Sequence, residues 1–335
     1  MFHKNLKKVV EKNDLSVKEM TYSMDCLMEN KVDNFKKSSF LTAMTMKGTS
    51  QKELYAAAKV MREKTKDILS FENGLDTCGT GGDGKNTFNI STISAIVTAC
   101  ADVNIVKHGN RSVSSKCGSA DVLEALGVNI NLKPKQVESC IKNIGFGFLF
   151  APNFHPAMKN VMSTRKSLGF KTFFNQLGPL TNPAKADYQV IGVYDEKLVE
   201  KFANVLSLLG VKRALVVHGS GLDEISISDE TKVSEVKNGN VKSYKIHPEI
   251  FGLKTYPEDS IIGGGMKKNK QIILDILNGK KGGPRSIVLL NSGAAIYLSG
   301  KADSIKEGVQ MAREIIDSKK ALNLLNEYVE FTRRF

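Results

Sequence analysis

The spacing of apolar side chains divides the chain at about residue 71. Before that point the period is helical. Ser16 and Glu19 stand at capping-box spacing ahead of Met20, Met24, Leu27 and Met28, which share one helix face. Ser50 and Glu53 repeat the device before Leu54, Ala57, Ala58 and Met61, and Gly48 is placed to end a helix carrying Phe40, Leu41 and Met44. Methionine stripes of this kind serve a core or a helix–helix contact, and one of these faces is equally suited to a subunit interface.

From about residue 72 short β-type runs alternate with helical stretches. The runs 104–107, 147–150, 189–193, 214–218 and 286–290 read as strands, and 196–209, 271–277 and 304–318 as helices. Such alternation predicts an α/β sheet covered by helices. Asn238-Gly239 between two strand-like runs predicts a hairpin, so the sheet is mixed and mostly parallel. The expected organisation is a small helical domain over 1–71 and a larger α/β domain over 72–335. The stretch 156–183 interrupts the strand texture and is expected to rejoin the helical domain in space. A cleft between two packed domains is a common small-molecule site.

Composition narrows the class without naming it. The chain has 335 residues, 41% hydrophobic and 25% charged, as ordinary globular proteins do. Met1–Lys8 is charged with no apolar stretch behind it, unlike a signal peptide, and no apolar run reaches membrane-spanning length. Five scattered cysteines with no Cys-x-x-Cys pair argue against a disulfide framework or zinc site and fit a cytoplasmic location. The net charge of +13 is spread over pairs such as Lys36-Lys37 and Lys267-Lys268; it reads as a solvated basic surface that also attracts anions. With no Trp, 7% aromatics and no nucleic-acid-reading motif, binding to DNA or RNA is not expected.

The chemistry concentrates in a few segments. Asp76–Gly84 contains Gly79-Thr80-Gly81-Gly82-Asp83, glycine-dense enough to turn sharply and bring backbone N–H groups against phosphate, or simply to make a tight turn. It matches neither the Walker nor the Rossmann spacing. Thr87, Asn89, Ser91 and Thr92 precede a helical pattern, where they either cap the helix or present donors to a phosphate at its N-terminus. Lys107–Ser115 and Gly118–Asp121 again mix cations, hydroxyls and glycines. Lys107 suits a diphosphate, His108 could be structural, and Arg111 could hold its loop by a salt bridge. Asp223-Glu224 are either surface charges or oxygen ligands for Mg²⁺. Arg165 is able to grip a carboxylate in two-pronged fashion.

In this order, DTCGTGGDGKNTFNIST (76–92), KHGNRSVSSKCGSADVLEALG (107–127), FAPNFHPAMK (150–159), FFNQLGPLTNPA (173–184), GLDEIS (221–226) and NSGAAIYLSGKADSIKEG (291–308) resemble the anthranilate phosphoribosyltransferases over nearly the whole chain. The resemblance implies transfer of phosphoribose from phosphoribosyl pyrophosphate (PRPP) to anthranilate, a fold of helical plus α/β domains, and a homodimer formed through the helical domain. It implies that PRPP is held by Gly79, Gly82, Asp83, Thr87, Asn89, Ile90, Ser91, Thr92, Lys107, His108, Gly109, Asn110, Arg111, Ser112, Val113, Ser114, Ser115 and Ser119. Gly79, Asn110 and Arg165 would contact anthranilate, with His155 lining its approach. Ser91, Asp223 and Glu224 would hold a pair of Mg²⁺ ions, and Lys107, Arg165, Asp223 and Glu224 would carry the catalysis.

Asp102 and Lys319 stand where that family commonly has glycine, and Lys171 replaces a common arginine. Two alternatives stay open: a pyrimidine nucleoside phosphorylase of related architecture, and a non-catalytic relative that binds nucleic acid.

Overall fold

The computed structural model describes residues 1–65, 71–112 and 116–335. Four helices open the chain: α1 (Phe2–Val10), α2 (Val17–Met28), α3 (Asn34–Lys47) and α4 (Gln51–Glu63). Both capping boxes form. The Ser16 N–H donates to Glu19 Oε2 at 2.8 Å and the Ser50 N–H to Glu53 Oε2 at 2.7 Å, while each serine hydroxyl accepts the glutamate's N–H. Such a cap contributes about 1 kcal/mol. Gly48 ends α3 at φ 83°. The methionine stripes turn inward: Met20, Met24, Leu27, Met28, Leu54 and Met61 are all buried. They form core and leave no face for a partner, so the interface option for these stripes is set aside.

The rest runs β1 (Leu75–Gly79), α5 (Ile90–Ala99), β2 (Ile105–Gly109), α6 (Ser119–Leu126), α7 (Pro134–Ile144), β3 (Phe146–Phe150), α8 (Ala151–Phe154), α9 (Lys159–Leu168) and α10 (Phe174–Leu177). Then come β4 (Tyr188–Gly192), α11 (Leu198–Leu208), β5 (Arg213–Gly219), β6 (Thr231–Lys237), β7 (Asn240–Ile246), α12 (Met266–Leu277), α13 (Gly283–Leu298), α14 (Ile305–Asp317) and α15 (Lys320–Thr332). The sheet has seven strands in the order β3-β2-β1-β4-β5-β6-β7. The first five are parallel; β6 and β7 are antiparallel and joined at Asn238-Gly239.

Two departures from the sequence reading have physical causes. Residues 286–290, expected as a strand, lie inside the sixteen-residue helix α13. An apolar run of that length suits either state when it is buried on every side, and α13 is buried along nearly its whole length. Gly293 and Gly308 let α13 and α14 meet backbone to backbone, since a Cβ on either would strike the other helix. Conversely, Leu75–Gly79 is a strand that the glycines disguised as loop.

Two cores flank the sheet. One gathers Leu75, Ile105, Phe146 and Leu215 with α5, α13 and α14; the other gathers Ile191, Val193, Ala214 and Val216 with α11 and the N-terminal helices. Val161, Phe173, Phe174, Leu177 and Leu180 belong to the second. Lys37 on α3 is buried and donates to the Asn160 carbonyl at 2.7 Å, and Asn160 Nδ2 donates to the Met28 carbonyl at 2.6 Å.

Candidate active site

Strands β1, β2, β4 and β5 each end in glycine, at Gly79, Gly109, Gly192 and Gly219. Chain order reverses between neighbours β1 and β4, and at such a switch point the carboxyl ends of parallel strands open a crevice. Gly79 and Gly192 are register partners there. A Cβ on Gly192 would collide with the Asp223 backbone, and one on Gly79 with the Asp223 carboxylate. The missing side chains let the segment after β5 lie directly over the crevice.

The glycine loop turns back over this segment. Gly81 and Gly82 have φ of 65° and 80°, where glycine carries no steric cost. The Gly81 N–H donates to Asp223 Oδ2 at 2.7 Å, and the Ser91 N–H, at the start of α5, donates to Glu224 Oε1 at 3.1 Å. Burial pushes both carboxyls well above the usual range; the charge of Asp83 adds to it on both, and that of Asp223 on Glu224. Asp83 Oδ2 is itself buried and has no hydrogen-bond donor among the described residues. Opposite them lies the buried Lys107, whose ammonium donates to the Thr77 carbonyl and stands 3.4 Å from Ser91 Oγ.

Behind this floor, Asp76 accepts from Asn182 Nδ2 at 2.7 Å and from the His108 N–H at 3.1 Å, tying β1, β2 and the 178–184 turn together. Burial lifts its carboxyl to about 6 against the pull of Lys107.

A cavity of about 370 Å³ opens over these groups. It is lined by Gly79, Gly82, Asp83, Thr87, Asn89, Ile90, Ser91, Thr92, Lys107, His108, Gly109, Asn110, Arg111, Ser112, Ser119, Asp223 and Glu224. The sequence-derived sugar-phosphate and metal residues therefore converge, apart from Val113, Ser114 and Ser115, which lie outside the described residues. Arg111 takes the salt-bridge option: it pairs with Asp121 at 3.0 Å and Glu124 at 2.8 Å.

Arg165 and His155 line a second cavity, of about 560 Å³, between α9 and the 178–181 turn. His108 and Asn110 line both cavities, whereas Gly79 lines only the first. Arg165 lies 5.3 Å from the Phe174 ring centroid and has no carboxylate partner among the described residues. Burial lowers its pKa, which marks a guanidinium short of anionic company. Burial also pushes His108 to about 3 and His155 to about 4, so both rings are neutral at pH 7.

Two more lining groups, Lys171 and Tyr194, and a supporting residue, Arg62, complete the surroundings. Lys171 donates to the Gly82 carbonyl at 2.6 Å and sits 5.2 Å from the Tyr194 ring centroid. Tyr194 follows β4 with no signal in its surroundings. Arg62, from α4, donates through Nε to the Leu180 carbonyl at 2.7 Å, pinning the turn between the cavities.

Among the described residues no three His, Cys, Asp or Glu side chains form a ready metal cage. Two desolvated carboxylates beside an unpartnered Asp83 oxygen fit a Mg²⁺ whose remaining positions go to water and phosphate, the coordination this ion prefers.

Known proteins share this arrangement along the whole chain. Residues 72–322 match the α/β-domain model of a glycosyl transferase family and 4–65 its helical-bundle model. An anthranilate phosphoribosyltransferase of Petrotoga mobilis is 52% identical, covering 99% of this chain and 97% of its own. The chain belongs to the anthranilate phosphoribosyltransferase family. The crystal structure of the Thermus thermophilus anthranilate phosphoribosyltransferase superposes with a TM-score of 0.92 at 42% identity, covering 98% of this chain and 99% of that one. The Saccharomyces cerevisiae anthranilate phosphoribosyltransferase, solved with PRPP and Mg, gives 0.91 at 29% identity, covering 100% and 98%. The same yeast enzyme has been solved with 4-fluoroanthranilate.

Proposed function

We propose that this chain transfers the 5-phosphoribosyl group of PRPP to the amine of anthranilate in tryptophan biosynthesis. The bond from ribose C1 to the diphosphate oxygen breaks, a C1–N bond forms, and the amine proton leaves to solvent or to the departing pyrophosphate. The observation that carries this reading is the meeting of two cavities at His108 and Asn110, one lined by phosphate-type donors and the other holding the unpaired Arg165.

In this reading the glycine loop, the start of α5 and Lys107 hold the diphosphate. Arg165 pairs with the anthranilate carboxylate and aims the amine at C1. The neutral His108 and His155 give the aromatic ring an uncharged wall, which leaves charge recognition to Arg165. A weak amine attacking an activated sugar needs positioning and charge stabilisation more than a strong base. Ser91, Asp223 and Glu224 would hold Mg²⁺, a pair of ions in the full reading, which neutralises charge on the leaving diphosphate.

A cytoplasmic homodimer completes the proposal. Phe35 and Met46 are 87% and 75% exposed and lie eleven residues apart on one stripe of α3, beside the exposed Val10 of α1. That surface, and not the buried methionine stripes, is the contact assigned to a second copy. Among the described residues no helix is long and apolar enough to cross a membrane.

Steady-state kinetics of Arg165→Ala test the substrate assignment. A hydrogen-bonded ion pair is worth about 1.5–3 kcal/mol, so KM for anthranilate should rise roughly 10- to 100-fold while KM for PRPP changes little. An equal rise in both constants would contradict it.

A further inference from the structure

We propose that Asn291, on α13 and outside the lining of both large cavities, is a positioning residue that holds Asp223 and Glu224 in place for Mg²⁺. The inference rests on the metal role given to these carboxylates in the phosphoribosyl-transfer reading. The segment that carries them leaves the sheet after β5 and returns to it at β6, so its backbone groups must find partners outside the ladder. Its two ends do so locally. Gly219 and Leu222 exchange N–H to carbonyl bonds of 3.1 and 2.9 Å, and the Gly221 N–H donates to His218 Nε2 at 3.3 Å. The Ser226 N–H donates to Thr231 Oγ1 at 2.9 Å.

Ile225, directly beside Glu224, is different. It is 1% exposed, and among the described residues its backbone is held by Asn291 alone. Asn291 Oδ1 accepts the Ile225 N–H at 3.0 Å, and Asn291 Nδ2 donates to the Ile225 carbonyl at 3.0 Å. This is the two-bond exchange that an antiparallel strand would have supplied. Nδ2 also donates to the Ile287 carbonyl, one turn back on α13, at 2.9 Å. The amide can lie only one way round, because the N–H needs its oxygen and both carbonyls need its nitrogen. Asn291 is itself 3% exposed on a helix buried along nearly its whole length, so the clamp is anchored in the core. On the far side Gly192 lies against the Asp223 backbone. The two carboxylates are thus carried on a segment gripped between β4 and α13.

Loss of Asn291 strips partners from a buried N–H and a buried carbonyl, and the run carrying Glu224 must move to replace them. Mn²⁺ is the probe, with its binding beside PRPP and without anthranilate read by electron paramagnetic resonance as loss of the free-ion signal. Asn291→Ala should raise the Mn²⁺ dissociation constant about tenfold. The Mg²⁺ concentration giving half-maximal turnover should rise by a similar factor, with KM for anthranilate unmoved. Unchanged Mn²⁺ binding by the folded variant would overturn the proposal. A rise in KM for anthranilate as large as the loss of Mn²⁺ affinity would also overturn it, because that marks a general loosening of the fold.

Should the alanine variant fail to fold, Asn291→Ser leaves a hydroxyl for one of the lost bonds. It should weaken Mn²⁺ binding in the same sense but less, and wild-type affinity in it would overturn the proposal. A wild-type protein that binds Mn²⁺ beside PRPP but consumes no anthranilate fails the transfer reading, while the Mn²⁺ comparison still decides this one.

Discussion

Lys319 sits at φ 61° and Asp102 at φ 56°, both in the left-handed region that a Cβ penalises. Glycine would adopt both conformations without strain, which agrees with the glycine expected at these positions. Lys319→Gly should stabilise the fold by about 1 kcal/mol, read from urea unfolding, with activity unchanged; no gain would mean the strain is relieved elsewhere. Asp tolerates left-handed geometry better, so Asp102→Gly should gain less.

Single residues also set the acid response. The folded-state pKa values of His108 and His155 lie below the ordinary 6.5, so below about pH 6.5 the unfolded chain takes up protons that the folded one refuses. Each histidine then lowers stability by up to about 1.4 kcal/mol per pH unit as pH falls. Asp76, raised to about 6 from 3.8, works in the opposite sense, as do the raised carboxyls of Asp223 and Glu224. The contribution of each is present below its unfolded pKa and is lost as pH rises through its folded one, so between about pH 4.5 and 6 the three carboxyls offset both histidines. Between pH 6 and 5, His155→Asn should change the slope of stability against pH by about one proton's worth relative to the unsubstituted chain, in the direction of greater stability at pH 5. An unchanged slope would contradict the burial of a neutral ring.

The motif residues of the loops were legible because phosphate chemistry there is done by local backbone, glycine and hydroxyl groups. Arg62 was not, and Lys171 stood out only as a replaced arginine, because each acts across a long sequence separation.

At the level of elements, the glycine-terminated strands matter most. Gly192 on β4 must lack a side chain for the segment after β5 to carry Asp223 and Glu224 over the crevice. Gly192→Ala should therefore displace both carboxylates and lower kcat/KM by about 100-fold, the usual penalty for a misplacement near 1 Å. Near-normal kcat/KM and Mg²⁺ dependence would show that the carboxylates do not need this approach. The alternation of strands and helices and the Asn238-Gly239 hairpin were readable from periodicity and turn chemistry. Strand β1 was not, since Gly79 and its successors imitate a loop, and α13 was mistaken in part because burial on every side erases periodicity.

Over the whole molecule, the division into a helical and an α/β part follows from a change of period near residue 71. The joining of two cavities does not, since it depends on how α9 and the 178–181 turn pack against the strand ends. If α3 carries the dimer contact, Phe35→Asp with Met46→Asp should halve the mass seen by light scattering; an unchanged mass would move the contact elsewhere. Such a shift would leave open what the two cavities do together, and that is the central claim. The most direct measurement is anthranilate fluorescence in the presence of the protein, PRPP and Mg²⁺. That fluorescence should fall continuously with equimolar release of pyrophosphate, and omitting either PRPP or Mg²⁺ should abolish the fall. Steady fluorescence with all components present, from a folded protein that binds PRPP, would contradict it.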